Sequence, residues 1–279
     1  MGSVSRLGPV LLLVFLLLFS LIFMPSSKTV TWDALQSESL VTRQSIGGGV
    51  PLRILPVGDS ITEGYASTDM NGYRLDLRKL LVAAGNPVDF IGSLSDGKHN
   101  PDNQHEGYGG YRINHILSST RKSGVLHQHP NIVLLHAGTN DINKDSSAEP
   151  WESATQRLGK LIDAILCKNP TTVLLVAQIV SVPRHPHRHN LFNAAIPFLV
   201  ASRAAKGYKI LTVDFSGVGG DLLRPDDDEE GRSLHPNDEG YGVMARIWFR
   251  ALRDLPEGWV ERPREPACPE EGGLGFAGG

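Results

Sequence analysis

Short apolar runs alternate along the chain with segments whose apolar residues recur every three or four positions. Strands are predicted for five runs rich in Val, Ile and Leu: 52–57, 88–91, 131–137, 172–177 and 208–214. Helices are predicted where the spacing is helical: 73–84, 113–123, 150–167, 190–206, with a kink at Pro197, and 238–252. Because several of these strands are apolar on both faces, the sheet should be parallel and covered on both sides. The sequence therefore predicts an α/β fold, a three-layer α/β/α sandwich around a five-stranded parallel sheet.

The two ends of the chain do not follow this alternation. An almost unbroken apolar run from Val10 to Met24 follows a single charge at Arg6, which is typical of a secretory signal peptide or a short signal-anchor. A buried core helix is the alternative for this run. We predict a signal peptide or signal-anchor (1–27), a linker (28–50), one α/β domain (51–255) and a flexible tail (256–279). The protein is expected to be secreted, or anchored to a membrane through its N-terminal segment.

Charge and cysteine content exclude several classes of function. The 279 residues include 27 Lys and Arg and 30 Asp and Glu, for a net charge of -3, which argues against a nucleic acid bound through its phosphates. The two cysteines, Cys167 and Cys268, are too few for a disulfide-rich scaffold or a four-cysteine zinc site. Whether these two cysteines pair stays open.

Polar residues follow the first and third predicted strands, at the edge where parallel sheets bind their ligands. Ser60 suits a nucleophile, because nearby N–H groups in its turn can hold an oxyanion; a helix-capping serine is the alternative. Asn140 can donate a hydrogen bond into the same crevice, or bond its own backbone in a turn. We expect Asp59, Thr139 and Asp141 to brace these turns rather than react.

Two further residues lie in loops that can reach the same crevice. Gly110 belongs to a glycine-rich loop whose backbone can approach a ligand and offer an N–H donor; a flexible loop is the alternative. His235 precedes the last predicted helix and can act as a general base at neutral pH; a surface histidine is the alternative. Together the four positions provide a nucleophile, a base and two independent oxyanion donors.

This set resembles the SGNH, or GDSL-like, hydrolases, whose four sequence blocks are centred on Ser, Gly, Asn and His. The matching blocks are 58–62, 110–111, 138–141 and 235–237, and the resemblance covers about residues 53–252. It implies the flavodoxin-like fold of that family. Four further stretches are similar to the microbial carbohydrate esterases, a branch that includes acetylxylan esterases: 57–64, 71–74, 90–93 and 105–107.

The resemblance implies a serine esterase that needs no metal and no cofactor. Ser60 would attack an ester carbonyl, and His235 would take the serine proton and return it to the leaving alcohol. The oxyanion hole would comprise the N–H groups of Ser60 and Gly110 and the side-chain amide of Asn140. The implied partner is a small-molecule or polysaccharide ester.

One position departs from the family pattern. The family usually places an Asp, which orients the histidine, three residues before it, and this chain has Arg232 there. An acidic run, 226–230, lies just upstream, and we predict that Asp228 bends back to Nδ1 of His235. A solvated loop, or a dyad in which a backbone carbonyl orients His235, are the alternatives.

Histidines and aromatic residues outside the blocks have simpler interpretations. The run 184–189 contains three alternating histidines, but a loop at the mouth of the crevice is favoured over a metal site. Tyr108, Tyr111 and Trp151 are suited to stack on sugar rings, and equally to pack in the core.

Three functions remain open from the sequence. The first is an esterase that removes short acyl groups, above all acetyl, from carbohydrate. The second keeps the chemistry on a lipid, as a lysophospholipase or thioesterase, and should have a long apolar groove. The third is a weakly active carbohydrate-binding relative, which a His235 without a carboxylate or carbonyl partner would favour.

Overall fold

The computed structural model describes residues 45–227, 231 and 233–264. The predicted signal peptide or signal-anchor (1–27) lies outside these residues, as do Arg232, Cys268 and most of the predicted linker and tail. Within the described ranges, no helix is both long enough and apolar enough to cross a membrane.

The described strands form one sheet. In chain order they are β1 (Leu52–Asp59), β2 (Val88–Phe90), β3 (Leu94–Ser95), β4 (Gln104–Tyr108), β5 (Ile132–His136), β6 (Val173–Gln178) and β7 (Ile210–Asp214). The order across the sheet is β3-β4-β1-β5-β6-β7, and β2 pairs with the beginning of β1. All pairings are parallel except that between β3 and β4.

The α/β class and the parallel sheet are confirmed, and the strand count is larger than predicted. The five predicted strands correspond to β1, β2, β5, β6 and β7, in the flavodoxin-like order 2-1-3-4-5. The two additional strands are β3 and β4. Because β2 pairs with residues 52–54 of β1 and β4 pairs with residues 57–59, β4 continues the same edge toward the carboxyl end of β1.

Helices cover both faces of this sheet. They are α1 (Ser60–Glu63), α2 (Arg74–Ala83), α3 (Ile113–Ser123), α4 (Thr139–Asn143), α5 (Ala154–Lys168), α6 (Pro186–Ala204) and α7 (Asp238–Arg253). Short 3₁₀ helices occur at Ile46–Gly49, Val125–Gln128, Trp151–Ser153 and Gly220–Leu222. Helix α6 begins earlier than predicted, because proline is well suited to a first helical position, and it continues through Pro197.

Because successive side chains of a strand point to opposite faces of the sheet, the core is divided between these two faces. In β1, Ile54 points to the cluster that includes α2 and α7, and Leu55 points to the cluster that includes α3, α5 and α6. Trp248 of α7 is fully buried in the first cluster. The resulting α/β/α sandwich holds β1 at its centre and carries the loops that follow β1 and β5 at one edge.

The packed domain extends beyond the predicted bounds of 51–255. Ile46 and Val260, placed by the sequence in the linker and the tail, are both buried in the core cluster beside α2 and α7. The side chain of Asn86 accepts a hydrogen bond from the N–H of Ile46 and donates one to its carbonyl, each at 2.8 Å. Burial of two apolar side chains accounts for this extension.

Candidate active site

The nucleophile candidate lies in a tight turn between β1 and α1. Ser60 is the first residue of α1, and the side chain of Asp59 caps this helix by accepting the N–H of Ile61 at 3.1 Å. The close approach of β1 to β5 at this turn requires glycine at position 58, because a Cβ there would lie 2.1 Å from the carbonyl oxygen of His136. The turn is therefore fixed from both sides, and it holds Ser60 at the carboxyl end of the central strand.

His235 joins this serine to a carboxylate. Its Nε2 lies 2.9 Å from Oγ of Ser60, and its Nδ1 lies 2.8 Å from Oδ2 of Asp227. The carboxylate of Asp227 also accepts the N–H of Leu234 at 2.7 Å and the N–H of His235 at 3.1 Å. These contacts fix the carboxylate and hold the ring so that Nε2 faces the serine, which is the arrangement of a Ser-His-Asp triad.

The carboxylate that contacts His235 is Asp227, not the predicted Asp228. Asp228 itself lies outside the described residues. Asp227 and His235 are eight residues apart, whereas the usual spacing between the Asp and the His is three. The sequence alone therefore does not determine which residue of the acidic run contacts His235. The two ends of the loop that contains Asp227 are joined by an isolated antiparallel bridge between Leu223 and Pro236, and the N–H of Arg224 donates to the carbonyl of His235 at 2.8 Å.

Three residues that can donate a hydrogen bond to an oxyanion line one cleft: Ser60, Gly110 and Asn140. The N–H of Ser60 is at the start of α1, where helical N–H groups have no partner within the helix. The side-chain amide of Asn140 donates one hydrogen to the carbonyl of Tyr111 at 3.0 Å and has a second hydrogen to offer. Gly110, with a φ of 75°, lines the same cleft.

Close packing positions the loop that carries Gly110. A Cβ on Gly107 would lie 2.3 Å from the backbone nitrogen of Glu63, and one on Gly109 would lie 2.6 Å from Oε2 of Glu63. The glycines of the loop thus allow β4 and α1 to touch, which sets the distance between Gly110 and Ser60.

Buried charges brace the turns around the site. Asp141 of α4 accepts a hydrogen bond from Nε of Arg157 at 2.8 Å and another from the N–H of Ile113 at 2.9 Å. Arg74 is fully buried beneath the loop 62–72. Its guanidinium donates to carbonyl oxygens of Thr62, Glu63, Met70, Asp96 and Asn103, at 2.7 to 3.2 Å. These buried hydrogen bonds hold the loops at this edge in place.

Asp59 and His136 form a buried titratable pair beneath the nucleophile. Burial raises the pKa of Asp59 to about 6, although the N–H of Ile61 opposes this shift. Burial lowers the pKa of His136 to about 4. Nδ1 of His136 lies 4.0 Å from Oδ1 of Asp59, and Nε2 accepts the N–H of Val180 at 3.3 Å. At neutral pH the histidine is therefore neutral, and the Asp59 carboxylate caps α1.

Ser60 and His235 line a cleft of about 250 Å³. Its lining consists of Ser60, Tyr65, Gly109, Gly110, Asn140, Asn143, Lys144, Arg184, Asp227, Leu234 and His235. Among the described lining residues, only Tyr65 and Leu234 contribute large apolar groups. The cleft is therefore small, and most of its lining residues are polar or glycine.

The histidine run 184–189 borders this cleft at its start. Arg184 lines the cleft, but residues 186–189 belong to helix α6 and not to the predicted loop. His189 is buried and contacts the carbonyl of Ile179 at 3.2 Å, while Arg188 pairs with Asp145 at 2.8 Å. In the part of the chain that the structure describes, no group of three or more His, Cys, Asp or Glu is placed to hold a metal ion.

The predicted aromatic residues occupy different environments. Tyr111 is exposed and stacks on Tyr108, with ring centroids 5.4 Å apart. Tyr108 and Trp151 are half-buried, and Trp151 carries the guanidinium of Arg188 above its ring at 5.5 Å. Sequence reasoning missed Tyr65, an aromatic residue in the cleft itself, because no motif or periodicity marks it.

Most of the chain is similar to known proteins. The model of the GDSL-like lipase/acylhydrolase family matches residues 57–243. A family 3 carbohydrate esterase from Clostridium thermocellum is 33% identical, with a TM-score of 0.59, and the alignment covers 74% of this chain and 98% of that one. A family 3 carbohydrate esterase from Talaromyces cellulolyticus shares the fold at 24% identity and a TM-score of 0.60, over 74% and 100% of the two chains.

An acetyl xylan esterase also shares the fold, at 17% identity and a TM-score of 0.54, over 72% of this chain and 99% of its own. A search of functionally curated proteins finds no match.

Proposed function

The chain belongs to the GDSL-like lipase/acylhydrolase family and is a carboxylic ester hydrolase; from this premise we propose that it removes acetyl groups from carbohydrate esters through an acyl-serine intermediate.

Ser60, His235 and Asp227 act as nucleophile, general base and orienting carboxylate. His235 removes the proton from Oγ of Ser60 through the 2.9 Å contact while the oxygen attacks the carbonyl carbon. Asp227 holds Nδ1–H and stabilises the imidazolium that forms. The imidazolium then protonates the leaving alcohol. In the second half of the reaction, His235 activates a water that hydrolyses the acyl-Ser60 ester.

The oxyanion of each tetrahedral intermediate is bound by the N–H groups of Ser60 and Gly110 and by the side-chain amide of Asn140. These donors are positioned before the substrate arrives, since α1, the β4 loop and α4 are held by the contacts described above. Donors fixed in this way stabilise charge as it develops, and one such donor typically contributes about 10²–10³ in rate.

The size and polarity of the cleft carry the proposal of a short acyl group. Its volume of about 250 Å³ is small, and polar side chains and glycines dominate its lining. Each CH₂ of an acyl chain that is buried stabilises the bound substrate by roughly 0.8 kcal/mol. A long acyl chain needs a long apolar groove for this burial. The described cleft has no such groove, which supports acetyl over a lipid chain. The 33% identity with a family 3 carbohydrate esterase supports carbohydrate as the alcohol.

We also propose that the protein enters the secretory pathway, because the apolar run from Val10 to Met24 has the composition of a signal. A polysaccharide substrate outside the cell is consistent with that route.

The decisive test compares three substrates with the full chain: p-nitrophenyl acetate, p-nitrophenyl octanoate and lysophosphatidylcholine. The Ser60→Ala variant provides the blank. We expect fast turnover of the acetate, slow turnover of the octanoate and no turnover of the lipid, with all activity lost in the variant. Acetylated xylan then tests the carbohydrate part. A preference for octanoate or for the lipid would refute the short-acyl proposal.

A further inference from the structure

The chemistry of the triad determines where the alcohol of the substrate lies. The carbonyl oxygen must point to the donors of Ser60, Gly110 and Asn140. The ester oxygen that becomes the leaving alcohol must lie next to Nε2 of His235, since that nitrogen donates the proton. The alcohol therefore leaves from the His235 side of the cleft, and residues on that side contact it.

Tyr65 is the aromatic side chain on that side. Its ring packs against the imidazole of His235, with centroids 4.7 Å apart and planes inclined by 64°. It lines the cleft and is nevertheless 47% exposed, so much of its ring surface is open to a ligand beside the leaving-group position. Buried aromatic residues complete a core, whereas an exposed one at a reactive centre offers a surface for binding.

The backbone around Tyr65 is fixed on both sides. Its N–H donates to the carbonyl of Ser60 at 3.0 Å, and its carbonyl accepts the hydroxyl of Tyr241 at 2.6 Å. Three residues further on, Thr68 is bound to the carboxylate of Asp238 by its N–H at 2.8 Å and its hydroxyl at 2.6 Å. The ring is thus presented from a rigid segment attached to both the nucleophile turn and the first turn of α7.

We propose that Tyr65 is the binding platform for the alcohol part of the substrate, and that it stacks on the apolar face of a pyranose ring whose acetyl ester faces Ser60. This inference rests on the proposed function and adds a specificity-determining residue to it. A flat aromatic surface matches the C–H-rich face of a sugar ring, and its rigid attachment reduces the entropy lost on binding.

The test measures kcat/KM of the full chain for two acetate esters. An acetylated xylo-oligosaccharide carries the sugar, and ethyl acetate carries the same acyl group on an alcohol too small to stack. In Tyr65→Ala we expect the ratio of the two values to fall about five- to tenfold, mainly through KM of the sugar ester. Tyr65→Phe and Tyr65→Trp keep a ring and should keep the ratio close to that of the unmodified protein.

Phe198→Ala is the matched control, because Phe198 is an exposed aromatic residue, 78% accessible, that is not part of the cleft lining. It should leave the ratio unchanged. An unchanged ratio in Tyr65→Ala would overturn the inference. So would equal losses on both esters, which indicate that Tyr65 only positions His235, or a Tyr65→Phe variant as impaired as Tyr65→Ala.

A binding measurement separates this inference from the proposed function. In the Ser60→Ala background, calorimetric titration with the acetylated xylo-oligosaccharide should show weaker binding, by a similar factor, when Tyr65→Ala is added. If the unmodified protein turns over ethyl acetate and the sugar ester but Tyr65 changes neither ratio nor binding, only the inference fails. If neither ester shows Ser60-dependent turnover, the proposed function fails.

Discussion

Oδ2 of Asp227 lies 2.8 Å from Nδ1 of His235, eight residues further along the chain. The usual spacing in this family is three residues, so the acidic residue reaches the histidine through a longer loop. The contact is supported by two backbone N–H groups, those of Leu234 and His235, which bind the same carboxylate. A carboxylate held in this way can orient the imidazole in spite of the longer connection.

Asp227→Asn should therefore lower kcat strongly with little change in KM. An amide at this position can present N–H to Nδ1 and favour the wrong tautomer of His235, and such a change lowers kcat by about 10⁴ in a well-studied triad. Asp228→Asn is the matched control and should retain activity. Steady-state kinetics with p-nitrophenyl acetate decide between the two neighbours, and a large loss in Asp228→Asn alone would contradict the assignment.

Asn140→Ala should remove one of three oxyanion donors and lower kcat by about 10²–10³, with KM little affected, because the interaction strengthens only as charge develops. Asn114→Ala serves as the control, since Asn114 is exposed and bonds the side chain of Glu149. Circular dichroism of both variants checks the fold. An Asn140→Ala variant with almost full kcat would exclude its amide from the oxyanion hole.

Much of the fold could be predicted because its strands bury both faces. Nearly every position in the runs that form β5 and β6 is apolar. Such runs indicate a parallel sheet without further information. Strand β4 could not be found in this way. Its buried His105 and Glu106 are polar, and each is stabilised by specific partners, among them the N–H of Gly107 and the N–H of Ser93.

The residues of the site also differ in how well the sequence alone predicts their positions. Ser60, Asn140 and His235 lie in blocks whose spacing to a strand or helix is short, so local sequence determines where they are placed. The partner of His235 depends instead on the path of an irregular loop, and a neighbouring carboxylate, Asp227, makes the contact. Tyr65 could not be predicted either, since its role depends on its packing against a residue that is distant in sequence.

Gly58→Ala should disrupt the junction between β1 and β5. The added Cβ would lie 2.1 Å from the carbonyl oxygen of His136 and 2.3 Å from Oγ1 of Thr62, so the two strands must separate. We expect insoluble protein, or a loss of more than about 2 kcal/mol in the free energy of unfolding. Chemical denaturation measures this loss.

Gly242→Ala is the opposite case within the same molecule. Its Cβ would meet only Arg246 at 3.5 Å and Asp76 at 3.9 Å, which are ordinary contacts in helix α7. Alanine is the better helix former, so the free energy of unfolding should rise by up to about 1 kcal/mol. A Gly58→Ala variant as stable as the unmodified protein would contradict the packing described for Gly58, and a destabilised Gly242→Ala variant would contradict the ordinary contacts described for Gly242.

Acid should destabilise the protein through His105, whose ring is fully buried in β4. Nδ1 accepts the N–H of Gly107 at 3.0 Å, and Nε2 faces Oδ2 of Asp96 at 3.2 Å. Burial, assisted by the nearby charge of Arg74, lowers the pKa of His105 from 6.5 to about 3. Below about pH 6.5 the unfolded chain binds a proton that the folded protein cannot bind, so the free energy of unfolding falls as the pH falls toward 3.

The variant His105→Asn isolates this contribution, because the asparagine carbonyl can still accept the N–H of Gly107 but does not titrate. One pH unit corresponds to about 1.4 kcal/mol for one proton. Between pH 7 and pH 5 the unmodified protein should therefore lose about 2 kcal/mol more in the free energy of unfolding than the variant does. Urea denaturation of both proteins at the two pH values measures the difference, in which contributions common to both, including that of His136, cancel. Parallel pH profiles would mean that His105 takes up its proton in the folded protein, and that the hydrogen bond to Gly107 does not keep the ring neutral.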